Sequence, residues 1–141
     1  MTDIDLIEKK LAFIETCVRE LRELCRPALL TEDIREQRFA AHTLQIAIQA
    51  AQDVASHIVS EQRLGEPETN HELFDLLAAN GWLTSGQVDV MHRMIGFRNV
   101  VVHGYQRFDP RILQDIVLNR LDDLPGFIRE IRLGLSRYNP R

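Results

Sequence analysis

An arginine, a histidine and a tyrosine fall within the octapeptide Arg98-Asn99-Val100-Val101-Val102-His103-Gly104-Tyr105. Arginine offers a planar donor fork suited to phosphate and stays charged at any ordinary pH. Histidine is the side chain whose unperturbed pKa allows proton transfer near neutrality. Arg98 and His103 together form a minimal kit for cleaving a phosphodiester without a metal. One group holds the developing charge and the other moves the proton.

The surroundings narrow what such a kit can act on. The chain has 141 residues, enough for one domain, 1–141, with a real core. It is 45% hydrophobic and 27% charged, the balance of an ordinary globular protein. No apolar run approaches a membrane span, and the acidic start Met1-Thr2-Asp3-Ile4-Asp5 lacks the layout of a signal peptide. A cytoplasmic protein with no membrane partner is expected. Cys17 and Cys25 lie on one predicted helix with about 12 Å of rise between them, too far for a mutual disulfide. No Cys/His ligand cluster stands near them, so neither a metal site nor a cofactor is expected. The formal net charge is −4, which argues against broad, nonspecific nucleic-acid binding. Yet Arg93, Arg98, Arg107 and Arg111 face Asp109 alone in the segment 92–111. A small basic focus on an acidic body suits a pocket that grips one or two phosphates.

The elements that must position these groups are all helical. Ile4, Ile7, Leu11, Ile14, Val18, Leu21 and Cys25 alternate steps of three and four, a seam for packing along another helix that Pro27 ends. A second helix is predicted from about Asp33 to Leu64. Leu44, Ala47, Ile48, Ala51, Val54, Ala55 and Ile58 form its apolar face; His42, Gln45, Gln49, Asp53, Ser56 and Ser60 form a polar stripe. A short third helix, about Asn70 to Asn80, stops at Asn80-Gly81. Thr84 with Gln87 reads as a capping box opening the fourth, which Gly104 ends. Asp109-Pro110 opens a fifth with the seam Val117, Leu121, Leu124, Ile128, Ile131, Leu135 and Tyr138, and a kink expected at Pro125-Gly126. Short loops between such helices imply an all-α antiparallel bundle of four or five helices.

The fourth helix poses a problem. On a helical projection Asp89, His92, Arg93, Gly96, Asn99 and His103 share one side, while Arg98 lands amid the apolar arc. A charge there is costly unless it is paired or lines a cleft. One reading is a structural arginine bonded to a carboxylate or to helix-end carbonyls. The other is a functional one, and it requires more. Residues five apart splay by about 140° on an ideal helix. To serve one phosphate, either the backbone bends near His103 or two chains share a cleft. Because the apolar arc exceeds half the helix, the second route predicts a homodimer.

Other candidates are weaker. His42, His57 and His71 read as surface or loop histidines. Asp53 and His57 are an i,i+4 pair, either a local surface interaction or an acid facing the Arg98–His103 cleft. Trp82 reads as a core plug. Arg129, Arg132, Arg137 and Arg141 read as a solvated face that could extend an RNA path.

The stretches Gln45–Val59 (QIAIQAAQDVASHIV) and Phe97–Tyr105 (FRNVVVHGY) resemble the HepT-like HEPN ribonuclease toxins, with an Arg-x4-His-x-Tyr motif. The resemblance implies a helical bundle that dimerises to bring two motifs around one cleft. It implies a metal-independent endoribonuclease acting as the toxin of a toxin–antitoxin pair. The implied partner is an MNT-type nucleotidyltransferase that silences the toxin by adding AMP to the motif tyrosine, here Tyr105. Many relatives carry an acid in helix two where this chain has Gln49; Asp53 could be the surviving acid. On this pattern His103 would serve as base toward the ribose 2′-OH or acid toward the 5′-oxygen, leaving a 2′,3′-cyclic phosphate. Arg98 would stabilise the phosphorane, and Asn99 would donate to phosphate or fix His103. Two competing readings use the same bundle: a noncatalytic module holding a nucleotide or RNA in this cleft, and a purely structural dimerising bundle.

Overall fold

The computed structural model describes residues 3–104 and 109–138, and among them all regular structure is helical. Helix α1 spans Ile4–Leu24, α2 Ile34–Glu61, α3 Asn70–Ala79, α4 Ser85–Gly104, α5 Pro110–Asp115 and α6 Asp123–Tyr138. A single 3₁₀ turn at Pro27–Leu29 follows α1. Each start has a local cause. Asp3, Asp33, Thr69 and Asp109 accept hydrogen bonds from backbone N–H groups of the following first turn. The α3 stop is a Schellman motif. Trp82 N–H donates to Leu77 O at 2.8 Å and Gly81 N–H to Ala78 O at 3.2 Å, with Gly81 at φ +82.

The bundle is antiparallel wherever its contacts fix a direction. Lys10 near the start of α1 meets Asp53 late in α2, whereas the Arg26 amide just past α1 donates to Glu36 at the start of α2. Arg132 of α6 reaches Glu8 and Glu15, while Arg22 pairs with Asp122. Thr84 bonds Glu130, and the Gln87 amide donates to Asp123 O. Helix α2 is central and buried on several sides by Ala40, Ala41, Ala47, Ala50, Ala51 and Ala55, whose small side chains let neighbouring helices approach. Trp82 is the expected plug, fully buried against Gly134. A methyl group at 134 would lie 2.3 Å from the indole Cε3.

Two expectations are corrected here. Only half of the Thr84–Gln87 capping box forms. Gln87 N–H donates to Thr84 Oγ1, but the Gln87 amide turns to Asp123 O and Glu130 takes the Thr84 N–H. The second concerns the fifth predicted helix, which breaks ahead of Pro125 rather than kinking at Pro125-Gly126. A π-helical segment at Ile116–Arg120 and a turn at 121–122 separate α5 from α6. Proline lacks an N–H and its ring clashes with the carbonyl four residues earlier. The helix therefore restarts at Asp123, placing Pro125 in a first turn that needs no such bond. Leu121, Leu124, Ile128, Ile131 and Leu135 remain buried across the break; the Tyr138 side chain lies outside the described residues.

Candidate active site

Helix α4 runs without interruption through Arg98 and His103 to Gly104. The backbone therefore does not bend or unwind between them. The two side chains leave the helix about 140° apart. Arg98 is half-buried, among the buried Met91, Met94, Ile95 and Val101 of the same helix. Its Nε is buried and has no hydrogen-bond partner among the described residues. His103 is exposed in the last turn of α4. Asn99 is half-buried beside Arg98. Tyr105 and Arg107 lie outside the described residues.

Asp53 is placed elsewhere. Its carboxylate accepts from Lys10 Nζ at 3.3 Å and from Gln49 Nε2 at 3.0 Å, in a groove between α1 and α2. The structure gives it neither Arg98, His103 nor His57 as a hydrogen-bond partner. His57 is half-buried with Nε2 unpartnered among the described residues. His71 stacks edge-on against His92, which meets Asp75 at 3.0 Å. The basic end of α6 is largely committed: Arg132 holds Glu8 and Glu15, and Arg137 donates to Gly81 O. Those two arginines staple helices and do not form an open RNA path. Arg141 lies outside the described residues. No cluster of His, Cys, Asp and Glu among the described residues could hold a metal ion. No helix among them is long and apolar enough to cross a membrane.

Two features escaped the sequence. Gln52 is buried at 3% exposure, with both amide atoms unpartnered among the described residues. The polar stripe of α2 passes it by, and only its place between Ala51 and Asp53 hinted at it. The other is a groove of about 480 Å³ between α4 and the α5–π segment, lined by Arg93, Gly96, Phe97, Val100, Ile112 and Ile116. Its rim carries two closed ion pairs. The Arg111 guanidinium, bonded to Asp109, holds that carboxyl below its usual range. Asn119 and Arg120 do the same for Asp115.

An Arg-x4-His pair at the end of a bundle helix, with the arginine Nε buried and unpartnered among the described residues, is the arrangement that comparison with known proteins illuminates. The family model described as "Ribonuclease HepT-like" matches residues 14–131. The mRNA nuclease HepT of Shewanella oneidensis is 32% identical over 129 residues, 91% of this chain and 97% of the relative. The tRNA nuclease HepT of Aphanizomenon flos-aquae is 29% identical over 135 residues, 93% of this chain and 92% of the relative. A solved structure of the tri-AMPylated Shewanella oneidensis HEPN toxin in complex with its MNT antitoxin superposes with a TM-score of 0.86. It is 31% identical, covering 94% of this chain and 99% of that one. The chain belongs to the HepT-like ribonuclease family.

Proposed function

We propose that this protein is a ribonuclease toxin of a toxin–antitoxin module and cleaves RNA at a site shared by two protomers. The observation that carries the reading is the pairing of a half-buried Arg98, its Nε unpartnered among the described residues, with an exposed His103 on an unbroken helix. One chain splays them apart; a second chain facing it supplies the missing partner to each. Family membership supports the nuclease assignment, and the two relatives are named as nucleases of mRNA and of tRNA.

In this reading His103 takes the proton of a ribose 2′-OH as the 2′-oxygen attacks phosphorus. The P–O5′ bond breaks, the leaving 5′-oxygen is protonated, and a 2′,3′-cyclic phosphate remains. Arg98 of the facing protomer holds the extra negative charge of the phosphorane. Asn99 supplies a further donor beside it. Asp53, held by Lys10 between α1 and α2, ties those helices together and takes no part in the chemistry. No metal and no organic cofactor take part.

The expected antitoxin is an MNT-type nucleotidyltransferase, as in the solved complex of the Shewanella toxin. Its target here is Tyr105, two residues beyond His103. An AMP on that phenol would add an anion able to occupy the Arg98 donors and a purine to fill the cleft. The localisation consistent with this reading is the cytoplasm.

The test is cleavage of a defined RNA in EDTA, scored for 2′,3′-cyclic phosphate ends, with wild type and His103→Ala side by side. Metal-free cleavage by wild type alone is expected. Cleavage by homogeneous His103→Ala protein refutes the mechanism. Intact-mass spectrometry after co-expression with an MNT-type nucleotidyltransferase that neutralises the toxin checks for AMP on Tyr105; an unmodified, neutralised toxin would show that inhibition works by masking.

A further inference from the structure

One stripe of α4 is Asp89, Arg93, Gly96, Val100 and His103, at steps of four, three, four and three, all exposed except the half-buried Gly96. It leads from the histidine straight into the groove between α4 and the α5–π segment. We propose that this groove is a nucleobase subsite: it holds one unpaired base of the RNA close to the scissile bond, with Arg93 on the adjoining phosphate. The proposal rests on the ribonuclease reading above and deepens it by adding a reader of the substrate.

Gly96 is the first reason. A glycine in mid-helix weakens the helix. A Cβ built there meets nothing within 4 Å, so no packing among the described residues requires its absence. What glycine provides is a bare strip of backbone on the groove floor, on which a flat group can lie. The walls are apolar. Val100 is 46% and Ile112 54% exposed, and Phe97 and Ile116 close the bottom. Paired apolar walls around a flat slot fit the two faces of a base, and such stacking tolerates any base type.

Charge points the same way. Asp109 and Asp115 on the rim are already matched by Arg111 and Arg120. Arg93 is exposed; it forms no salt bridge among the described residues, though its charge also acts on the half-buried Asp123. An exposed guanidinium at the mouth of an apolar slot complements one phosphate attached to one base. The volume, about 480 Å³, lies in the range of small-molecule sites.

Binding of fluorescein-labelled RNA tetranucleotides (A4, C4 and U4) and of an abasic tetraribose phosphate to full-length His103→Ala protein tests the proposal by anisotropy. The base-bearing chains should bind about tenfold tighter than the abasic one. Gly96→Leu, which fills the slot, should erase that difference, as should Ile112→Asn at an exposed wall position if Gly96→Leu fails to fold. Arg93→Ala should weaken both probe types alike. A difference that survives both groove variants overturns the proposal, as does equal binding of base-bearing and abasic chains. If Gly96→Leu converts a dimer to a monomer by light scattering, the groove is an interface between copies and the proposal is likewise wrong. Base-dependent binding lost in the groove variants, from a wild type that cleaves no RNA, would sustain the subsite and refute the nuclease reading instead.

Discussion

Replacing Arg98 by methionine should make the protein more stable and less active at once. Methionine keeps the length and apolar stem of arginine while removing the guanidinium. The Nε–H of Arg98 is buried with no acceptor among the described residues. Leaving a buried donor unsatisfied costs about 1–3 kcal/mol. The side chain is half-buried, so water relieves part of that cost, and a gain near the lower end, about 1 kcal/mol, is expected from Arg98→Met. For a domain of this size that corresponds to a rise in Tm of roughly 3 °C. Loss of a charge-stabilising donor should meanwhile lower the cleavage rate by about a thousandfold. Thermal unfolding of both proteins at one fixed concentration, which removes the mass-action effect of dimerisation, gives the first number. Single-turnover cleavage gives the second. A fall in stability of 1 kcal/mol or more in Arg98→Met would refute the reasoning, because it would mean that the guanidinium holds the bundle together.

Three further outcomes follow from the packing. Gly134→Ala should destabilise the fold by about 2 kcal/mol, since the new methyl overlaps the Trp82 indole; an unchanged urea midpoint would contradict it. Burial pushes the Cys17 and Cys25 thiols up to about 11, so neither should react with a thiol reagent at neutral pH until the chain unfolds. Because these pKa values are raised in the folded state, their contribution to stability is complete below the ordinary thiol range and declines as pH rises from 9 toward 11, which alkaline unfolding curves of the wild type and of Cys17→Ala would show. Light scattering at micromolar concentration should report a dimer; a monomer would remove the second protomer that the site requires.

The helices were legible in the sequence because burial is periodic. From Ile7 to Cys25 along α1 and from Leu121 to Leu135 toward and through α6, the seams are buried as their three-four spacing demands, and Asn80-Gly81 stops α3 by the backbone freedom of glycine. The π segment was not legible. It arises where the helix must restart before Pro125 while Leu121 and Leu124 stay in the core, a conflict settled only in three dimensions. The motif itself was plain, and so was the splay it implies; that α4 stays straight through His103 needed the structure. Asp53 shows the limit of local reasoning. Its neighbours in sequence suggested His57, but its cation is Lys10, 43 residues away. The same holds for Arg132 and Arg137, which read as a solvated face until α1 and the Gly81 turn are placed against them.

Mixing two inactive variants tests the shared site most directly. Arg98→Ala and His103→Ala proteins, each dead alone, are unfolded together, refolded and assayed on RNA in EDTA. In a two-fold dimer whose sites take Arg98 from one chain and His103 from the other, half the dimers are mixed and each carries one intact site. Activity should return to about a quarter of wild type. No recovery from verified mixed dimers would place both residues of each site in one chain and contradict the account.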